Sequence, residues 1–496
     1  MKKSALLVSF CVILASMNSC RNTIGSYTSN EKFNKSFNGF FQRKSADYEG
    51  VYRNPVIIVH GFLGSNLLDT KSGKIIWGEF STSDSYTISD AKMRALAIPM
   101  IQGKPLKLIK DATVPHGMLD KVKVSFLGMT YTEPAYINLV NILHEDGYQP
   151  DERHALDKGK NFYTLFQFSY DWRRDLQENA VKLHNFILKK RKYIQEQYKS
   201  HYGRKNYDVQ FDLIGHSMGG LIARYYLRYG TAELPEENEQ PKITWAGSKY
   251  IDRLIILGTP NAGYLDTLLE MQNGIELPPI PPALVSTWPA YYQMMPDPST
   301  KSVVLKNAPN KAVDIYNINT WLRYKWGLTD TKKQDKVLKI LLPNVKTQLG
   351  RAKIAFDHLA KCLDRAKRFK RAMNVFATPP DDVKLYLILG NAVPTRRRAR
   401  LDKKTGKLLV TKEDYEPGDG KVLVTSAMYD RRAGRKVWVP YFYSPIAWNS
   451  IIQLRAAHMG ITTDPAFKDN VLFLLSNVPT KRYRQLIEEY RKEDHE

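Results

Sequence analysis

Phe211-Asp212-Leu213-Ile214-Gly215-His216-Ser217-Met218-Gly219-Gly220-Leu221-Ile222-Ala223-Arg224 decides how this chain is read. The run from Tyr207 to Ile214 is predicted as a buried strand. From Met218 to Tyr229 the pattern is helical. Between them lies Gly-x-Ser-x-Gly, whose chemistry depends on its place. A strand that turns at once into a helix holds Ser217 in strained backbone geometry, and the flanking glycines remove side chains that would collide there. The new helix also aims its positive end at the position where an oxyanion would develop. Ser217 is therefore the candidate nucleophile. His216 is not expected to be its base, because neighbours on so sharp a turn point in different directions; it reads as a packing residue behind the site.

Working outward, Pro55–Val59 is a β-branched run that stops at His60-Gly61. Phe162–Tyr170, Tyr250–Leu257 (closing on Gly258-Thr259-Pro260) and Val383–Leu389 (ending at Gly390) are further strands, and Arg174–Tyr202 is a long helix. Strands alternating with helices predict a mostly parallel sheet with helices on both faces. The fold class is α/β, specifically an α/β-hydrolase fold with an inserted cap, and its site belongs at the carboxyl ends of the strands. The expected organisation is a leader over 1–20, a linker over 21–50 and a first core part over 51–260, interrupted by an insertion over about 65–132. A cap over 261–382, a second core part over 383–480 and a charged tail over 481–496 complete it. In the cap, Leu349, Ala352, Phe356, Leu359, Leu363 and Ala366 recur at helix spacing.

A serine nucleophile needs backbone donors for the oxyanion, a base, and an acid that orients the base. His60-Gly61-Phe62-Leu63-Gly64 follows the first strand, and its glycines allow backbone to approach a substrate. The expected donors are the N–H groups of Leu63 and Met218, with Phe62 as the substitute for Leu63. In this fold the chain order is Ser, acid, His. Three histidines follow Ser217: His495 is terminal, His358 lies in a basic cap helix, and His458 follows the last core segment and is the expected base. Asp419, in Pro417-Gly418-Asp419-Gly420, is the expected acid, with Asp414 and Asp430 as alternatives.

These pieces together resemble the lecithin–cholesterol acyltransferase and lysosomal phospholipase group. The resemblance is carried by Pro55–Leu67, Tyr170-Asp171-Trp172-Arg173, the Ser217 elbow, Gly390-Asn391-Ala392-Val393-Pro394-Thr395 with Gly418-Asp419-Gly420, and His458 with the segment after it. It implies a Ser217–Asp419–His458 triad and oxyanion donors at Leu63 and Met218. It also implies a lipid acyl ester as substrate and an acyl-Ser217 intermediate passed to water or to an alcohol. Tyr170, Asp171 and Arg173 would support the strand end beside the site.

The chain has 74 Lys+Arg against 50 Asp+Glu, a net charge of +24 that favours anionic partners. Arg351, Lys353, Lys361, Arg365, Lys367, Arg368, Lys370 and Arg371 crowd one cap segment, and Arg396-Arg397-Arg398 follows Thr395. Two readings are open: a solvated helix face with a charged loop, or docking on the anionic headgroups of a membrane surface. No nucleic-acid module accompanies the charge, so nucleic acid is not an expected partner. The sequence carries no metal-ligand cluster, and no metal or cofactor is expected. It does not speak to oligomeric state.

Lys2-Lys3, the apolar run Ser4–Met17 and Asn18-Ser19-Cys20 read as an export signal, with Cys20 as a lipidation site of the bacterial lipoprotein type. The expected location is a bacterial envelope, anchored or otherwise periplasmic or secreted. Cys362, in a helical pattern, reads as a buried structural thiol. The expected function is a serine-nucleophile lipid acyl-ester hydrolase or acyltransferase. The alternatives are a small-ester, thioester or amide hydrolase on the same fold, or a non-catalytic envelope lipoprotein.

Overall fold

A computed structural model describes residues 50–80, 88–119, 121–126, 129–134, 136–151, 155–276, 278–431, 444–476 and 480–485. The expected leader, with Cys20, and the linker before Gly50 lie outside the described residues, as does the tail beyond residue 485.

The centre is a six-stranded parallel sheet. Its strands are β1 (Val56–Val59), β2 (Leu165–Phe168), β3 (Phe211–His216), β4 (Ile251–Leu257), β5 (Lys384–Gly390) and β6 (Ser450–Leu454), and their order across the sheet is β6-β5-β4-β3-β1-β2. Every residue of β1, β2, β3 and β4 is buried, as expected for strands covered on both faces. Each fully buried Val, Ile or Leu contributes roughly 1.5–3 kcal/mol. The register brings the carboxyl ends into line, with Val59 opposite both Phe168 and Gly215, and Leu257 opposite His216 and Ile388.

After β1 the chain adds β2 on one side and then returns to add β3 on the other. The strand order therefore reverses at β1, and a crevice opens at the carboxyl ends of β1 and β3. Helix α1 (Leu176–Tyr202) starts at the N-cap Asp175, whose side chain accepts the Gln177 N–H, and stops at Gly203 in the left-handed region. Helix α2 (Met218–Tyr229) follows the serine directly and is buried along its whole length.

Two excursions cover the crevice. The first holds a three-stranded antiparallel sheet, with Ser65–Asp69 between Lys74–Trp77 and Thr113–Met118, and the short helix Asp90–Leu96. Arg173 ties it to the core: its buried guanidinium binds both oxygens of Asp171, Oδ2 of Asp111 at 2.7 Å, and the Ala95 and Ala97 carbonyls. Asp171 and Arg173 thus brace more than the strand end expected from sequence, because they also anchor the first excursion. The second excursion carries helix α3 (Gln348–Met373). Its strand Val303–Leu305 pairs in parallel with Ala399–Leu401, so chain that follows β5 completes the cap's own sheet.

Helix α3 corrects two expectations. Leu349 is 67% exposed and Phe356 38% exposed, so the buried stripe starts later and runs through Ala355, Leu359, Cys362, Leu363 and Ala366. The basic residues are mostly turned inward and engaged. Arg351 pairs with Asp335, Lys361 with Asp357, and Arg365 with Asp175 and Glu233. Arg368 pairs with Glu236, Arg371 binds the Glu236 and Glu237 carbonyls, and Lys370 is buried. Lys353 and Lys367 remain as the exposed cations of this group. The charge pattern that reads as an outer face is largely the seam by which α3 is fastened down. No described helix is long and apolar enough to cross a membrane.

Candidate active site

Three strand ends and one hairpin build the site. Ser217 follows β3 and precedes α2, with φ 53° and ψ −123°. A non-glycine residue held there costs about 1–3 kcal/mol and persists only where its surroundings over-determine it. Here the Ser217 N–H donates to Leu257 O at 2.8 Å, and its own carbonyl accepts the Thr259 hydroxyl at 2.8 Å. Gly219 is required by close approach, since a Cβ there would stand 2.2 Å from the Val59 carbonyl oxygen. Met218 is the first residue of α2, so its N–H has no intrahelical acceptor.

The loop after β1 lies directly on the serine. A Cβ on Gly61 would come within 2.8 Å of Ser217 Cβ. Gly64 N–H donates to Gly61 O at 3.1 Å, and Leu63 takes up φ 62°. Trp77 Nε1 donates to Leu63 O at 3.1 Å, so Trp77 is a buried strut under this turn. The Phe62 ring packs on Trp172 and Tyr291, with ring centroids 5.0 and 4.9 Å away, which joins the loop to the cap. The Tyr170 ring stacks on His60 at 4.0 Å, and its hydroxyl donates to His60 O at 2.6 Å.

The strand β5 ends at Gly390, and a two-stranded ribbon, Val393–Arg396 against Tyr415–Gly418, delivers Asp419 back to the sheet edge. Asp419 Oδ1 accepts the N–H groups of Lys421 (2.9 Å) and Val422 (2.7 Å), while Oδ2 lies 2.8 Å from His458 Nδ1. Burial works against the Asp419 charge. The neighbouring His458 and the two amide donors outweigh it and hold the carboxyl below its usual range. An ionised Asp419 fixes the proton on His458 Nδ1, which turns the Nε2 lone pair toward Ser217 Oγ, 3.1 Å away. Ser217 and His458 are both partly exposed, so this end of the relay is reachable from outside.

Of the candidate acids, the structure brings Asp419 to His458. Asp414 instead binds Arg400 Nε and caps a turn at Thr411, and Asp430 lies on the wall of a neighbouring cavity. Of the later histidines, His358 is buried in the cap with its ring against Thr287 O at 3.0 Å. Cys362 is buried and unbridged.

Sequence reading missed Tyr136. Its buried hydroxyl accepts the Gly61 N–H at 2.6 Å and lies 2.9 Å from His216 Nδ1. The His216 ring in turn packs 4.9 Å from that of His458. Burial, followed by the nearby His458, pushes His216 down to about 3, so its ring is neutral and shares the hydrogen bond with the tyrosine hydroxyl through Nδ1. One hydroxyl therefore connects the loop after β1, the serine elbow and the imidazole behind His458. No local motif marks it. Among the described residues no group of three His, Cys, Asp or Glu side chains could hold a metal ion.

Over residues 114–440 the chain matches the protein family described as lecithin:cholesterol acyltransferase. The matched stretch includes Ser217 and Asp419, while Leu63 and His458 lie outside it. An uncharacterized protein of Saccharomyces cerevisiae is 26% identical over 212 residues, 43% of this chain and 26% of the yeast protein. The match thus spans about a quarter of that relative's length. Among solved structures the chain is similar to the Tle4–Tli4 complex, with a TM-score of 0.48, 13% identity, and coverage of 86% of this chain and 98% of that one. It is also similar to mature lipase BlEst2 of Bacillus licheniformis (TM-score 0.28, 12% identity, 86% and 92% covered). For phospholipase PlaB of Legionella pneumophila the TM-score is 0.32 and the identity 11%, with 88% and 62% covered.

Proposed function

The chain belongs to the lecithin:cholesterol acyltransferase family, and on that premise we propose that it is a serine enzyme that cleaves a lipid acyl ester through an acyl-Ser217 intermediate. The observation that carries the reading is the continuous relay from Ser217 Oγ to His458 Nε2 (3.1 Å) and from His458 Nδ1 to Asp419 Oδ2 (2.8 Å).

In this mechanism His458 Nε2 takes the Ser217 proton as Oγ attacks the ester carbonyl. The carbonyl oxygen becomes an oxyanion between the Leu63 N–H in the loop after β1 and the Met218 N–H at the start of α2, with the Phe62 N–H as the alternative donor in the loop. The C–O bond to the leaving alcohol breaks, and His458 returns its proton to that alcohol. Water, or a second alcohol, then gives its proton to His458 and attacks the acyl-Ser217 carbonyl. This releases a free acid or a new ester and restores the serine. Support for a lipid acyl chain comes from the family's name and from an apolar approach. Phe62 and Leu63 are half-buried on one side, and Met459, next to His458, is 48% exposed on the other.

The test is a total lipid extract incubated with the wild type and with Ser217→Ala, with products identified by mass. The expected result is Ser217-dependent loss of an acyl lipid. A lyso-lipid with free fatty acid means water is the acceptor, and a newly acylated alcohol means transfer. Equal product patterns from the two proteins would contradict the proposal.

A further inference from the structure

Beside the cap, on the side of the acid-bearing ribbon, the protein has an open cavity of about 840 Å³. Its wall carries Lys301, Arg396, Arg397, Arg398 and Arg431 against two carboxylates, Glu416 and Asp430. Two of the cations have partners: Arg396 pairs with Asp266 at 2.9 Å and Arg397 with Glu416 at 3.1 Å.

The other three are differently placed. Arg398 makes no ion pair among the described residues, and its Nε is buried with no hydrogen-bond acceptor. Burial, and then Arg397 beside it, holds its pKa below the ordinary arginine value. Arg431 lies over the Tyr429 ring at 4.9 Å and donates from Nη2 to the Tyr429 hydroxyl at 3.3 Å, and its Nε is also buried and unsatisfied. Lys301 is exposed at the cavity rim, in the left-handed region at φ 49°.

Like charges that outnumber the counter-charges around one cavity repel one another, and the two buried, unsatisfied Nε donors add to that cost. A ligand with several anionic oxygens offsets both. A guanidinium fork matches the geometry of phosphate, and a lysine at the rim adds a point charge.

We propose that this cavity is a binding site for a phosphate-bearing anion, distinct from the Ser217 site and held by Arg398, Arg431 and Lys301. It stands whether or not Ser217 is the nucleophile, because its evidence and its test involve no turnover.

The full chain is titrated with inorganic phosphate by calorimetry at constant ionic strength, with chloride as the control. It is also co-sedimented with phosphatidylglycerol vesicles and with phosphatidylcholine vesicles. The expected result is saturable phosphate binding that weakens about tenfold or more in Arg398→Gln and in Arg431→Gln, as for losing one charge-assisted bond. Lys301→Gln is an exposed change that leaves the interior intact, and it must shift binding in the same direction. Phosphatidylglycerol binding lost in the same variants assigns the anion to a lipid headgroup. Phosphate binding without variant-dependent vesicle binding assigns it to a soluble phosphate compound. The proposal is overturned if phosphate binds equally in all three variants and the wild type. It is equally overturned if neither phosphate nor vesicles bind in a variant-dependent way.

Discussion

At Tyr136, one oxygen serves two partners that are far apart in sequence. Removing it with Tyr136→Phe leaves the Gly61 N–H without its buried acceptor and His216 Nδ1 without its partner. The expected cost is about 1–3 kcal/mol of stability, read from denaturant unfolding. Under the proposed mechanism, turnover of an acyl ester should also fall through kcat, with KM nearly unchanged, because the loop after β1 with its proposed oxyanion donors is what loosens. A variant with wild-type kcat would show that the tyrosine only packs.

The residues legible from sequence share one property. Ser217 and Asp419 sit at turns whose glycines are written beside them, and His458 is the one downstream histidine outside the cap and the terminus. Tyr136 was not legible because its role comes from reaching 75 residues back to Gly61 and 80 residues forward to His216. The same holds for Trp77, whose part under Leu63 depends on the pairing of Lys74–Trp77 with Ser65–Asp69.

Among elements, the strands and α2 meet at the elbow with almost no spare room. Gly219→Ala tests this contact. Its Cβ would meet the Val59 carbonyl at 2.2 Å and the His60 carbonyl at 2.3 Å, both backbone atoms that a rotamer change cannot clear. The expected loss is about 1–3 kcal/mol or more, seen as a lowered Tm, with α2 pushed from β1. An unchanged Tm would mean that the two elements do not pack this closely.

Strands with consecutive β-branched or leucine residues, such as Val56–Val59 and the run from Leu254 to Leu257 in β4, declared themselves in sequence because both faces are covered. The edge strand Ser450–Leu454 did not, because its first four residues are exposed or half-buried and give no apolar run. The predicted strand at Tyr207–Ile214 runs instead from Phe211 to His216, since pairing with Val56–Val59 and Ile251–Leu257, and not local propensity, sets its ends.

For the molecule as a whole, net charge was the least readable quantity. A sum of +24 says nothing about which cations face water. In α3 most of them are spent on fastening the cap, and another group of cations collects around the cavity by Arg398.

Docking of the cap also has a pH signature. Burial holds His358 near 4 against an ordinary 6.5, its ring facing Thr287 O while Nδ1 has no partner. The folded state then binds fewer protons than the unfolded state between about pH 4 and 6.5. His358 therefore adds stability as pH rises through that window and withdraws it on acidification. His358→Gln should flatten the dependence of unfolding free energy on pH by about 1.4 kcal/mol per pH unit there. Denaturant melts at pH 4.5, 5.5 and 6.5 measure it, and an unaltered slope would show that another group carries the effect.

For a chain of this family, the claim on which the proposed function depends is that Ser217 is made nucleophilic by His458. The most direct measurement is the rate at which a fluorophosphonate labels the intact protein, with the adduct mapped by peptide mass. The account predicts a single adduct on the peptide containing Ser217, and labelling slowed by about 10³–10⁴-fold in His458→Ala. Labelling at another residue, or a rate on Ser217 unaffected by His458→Ala, would contradict it.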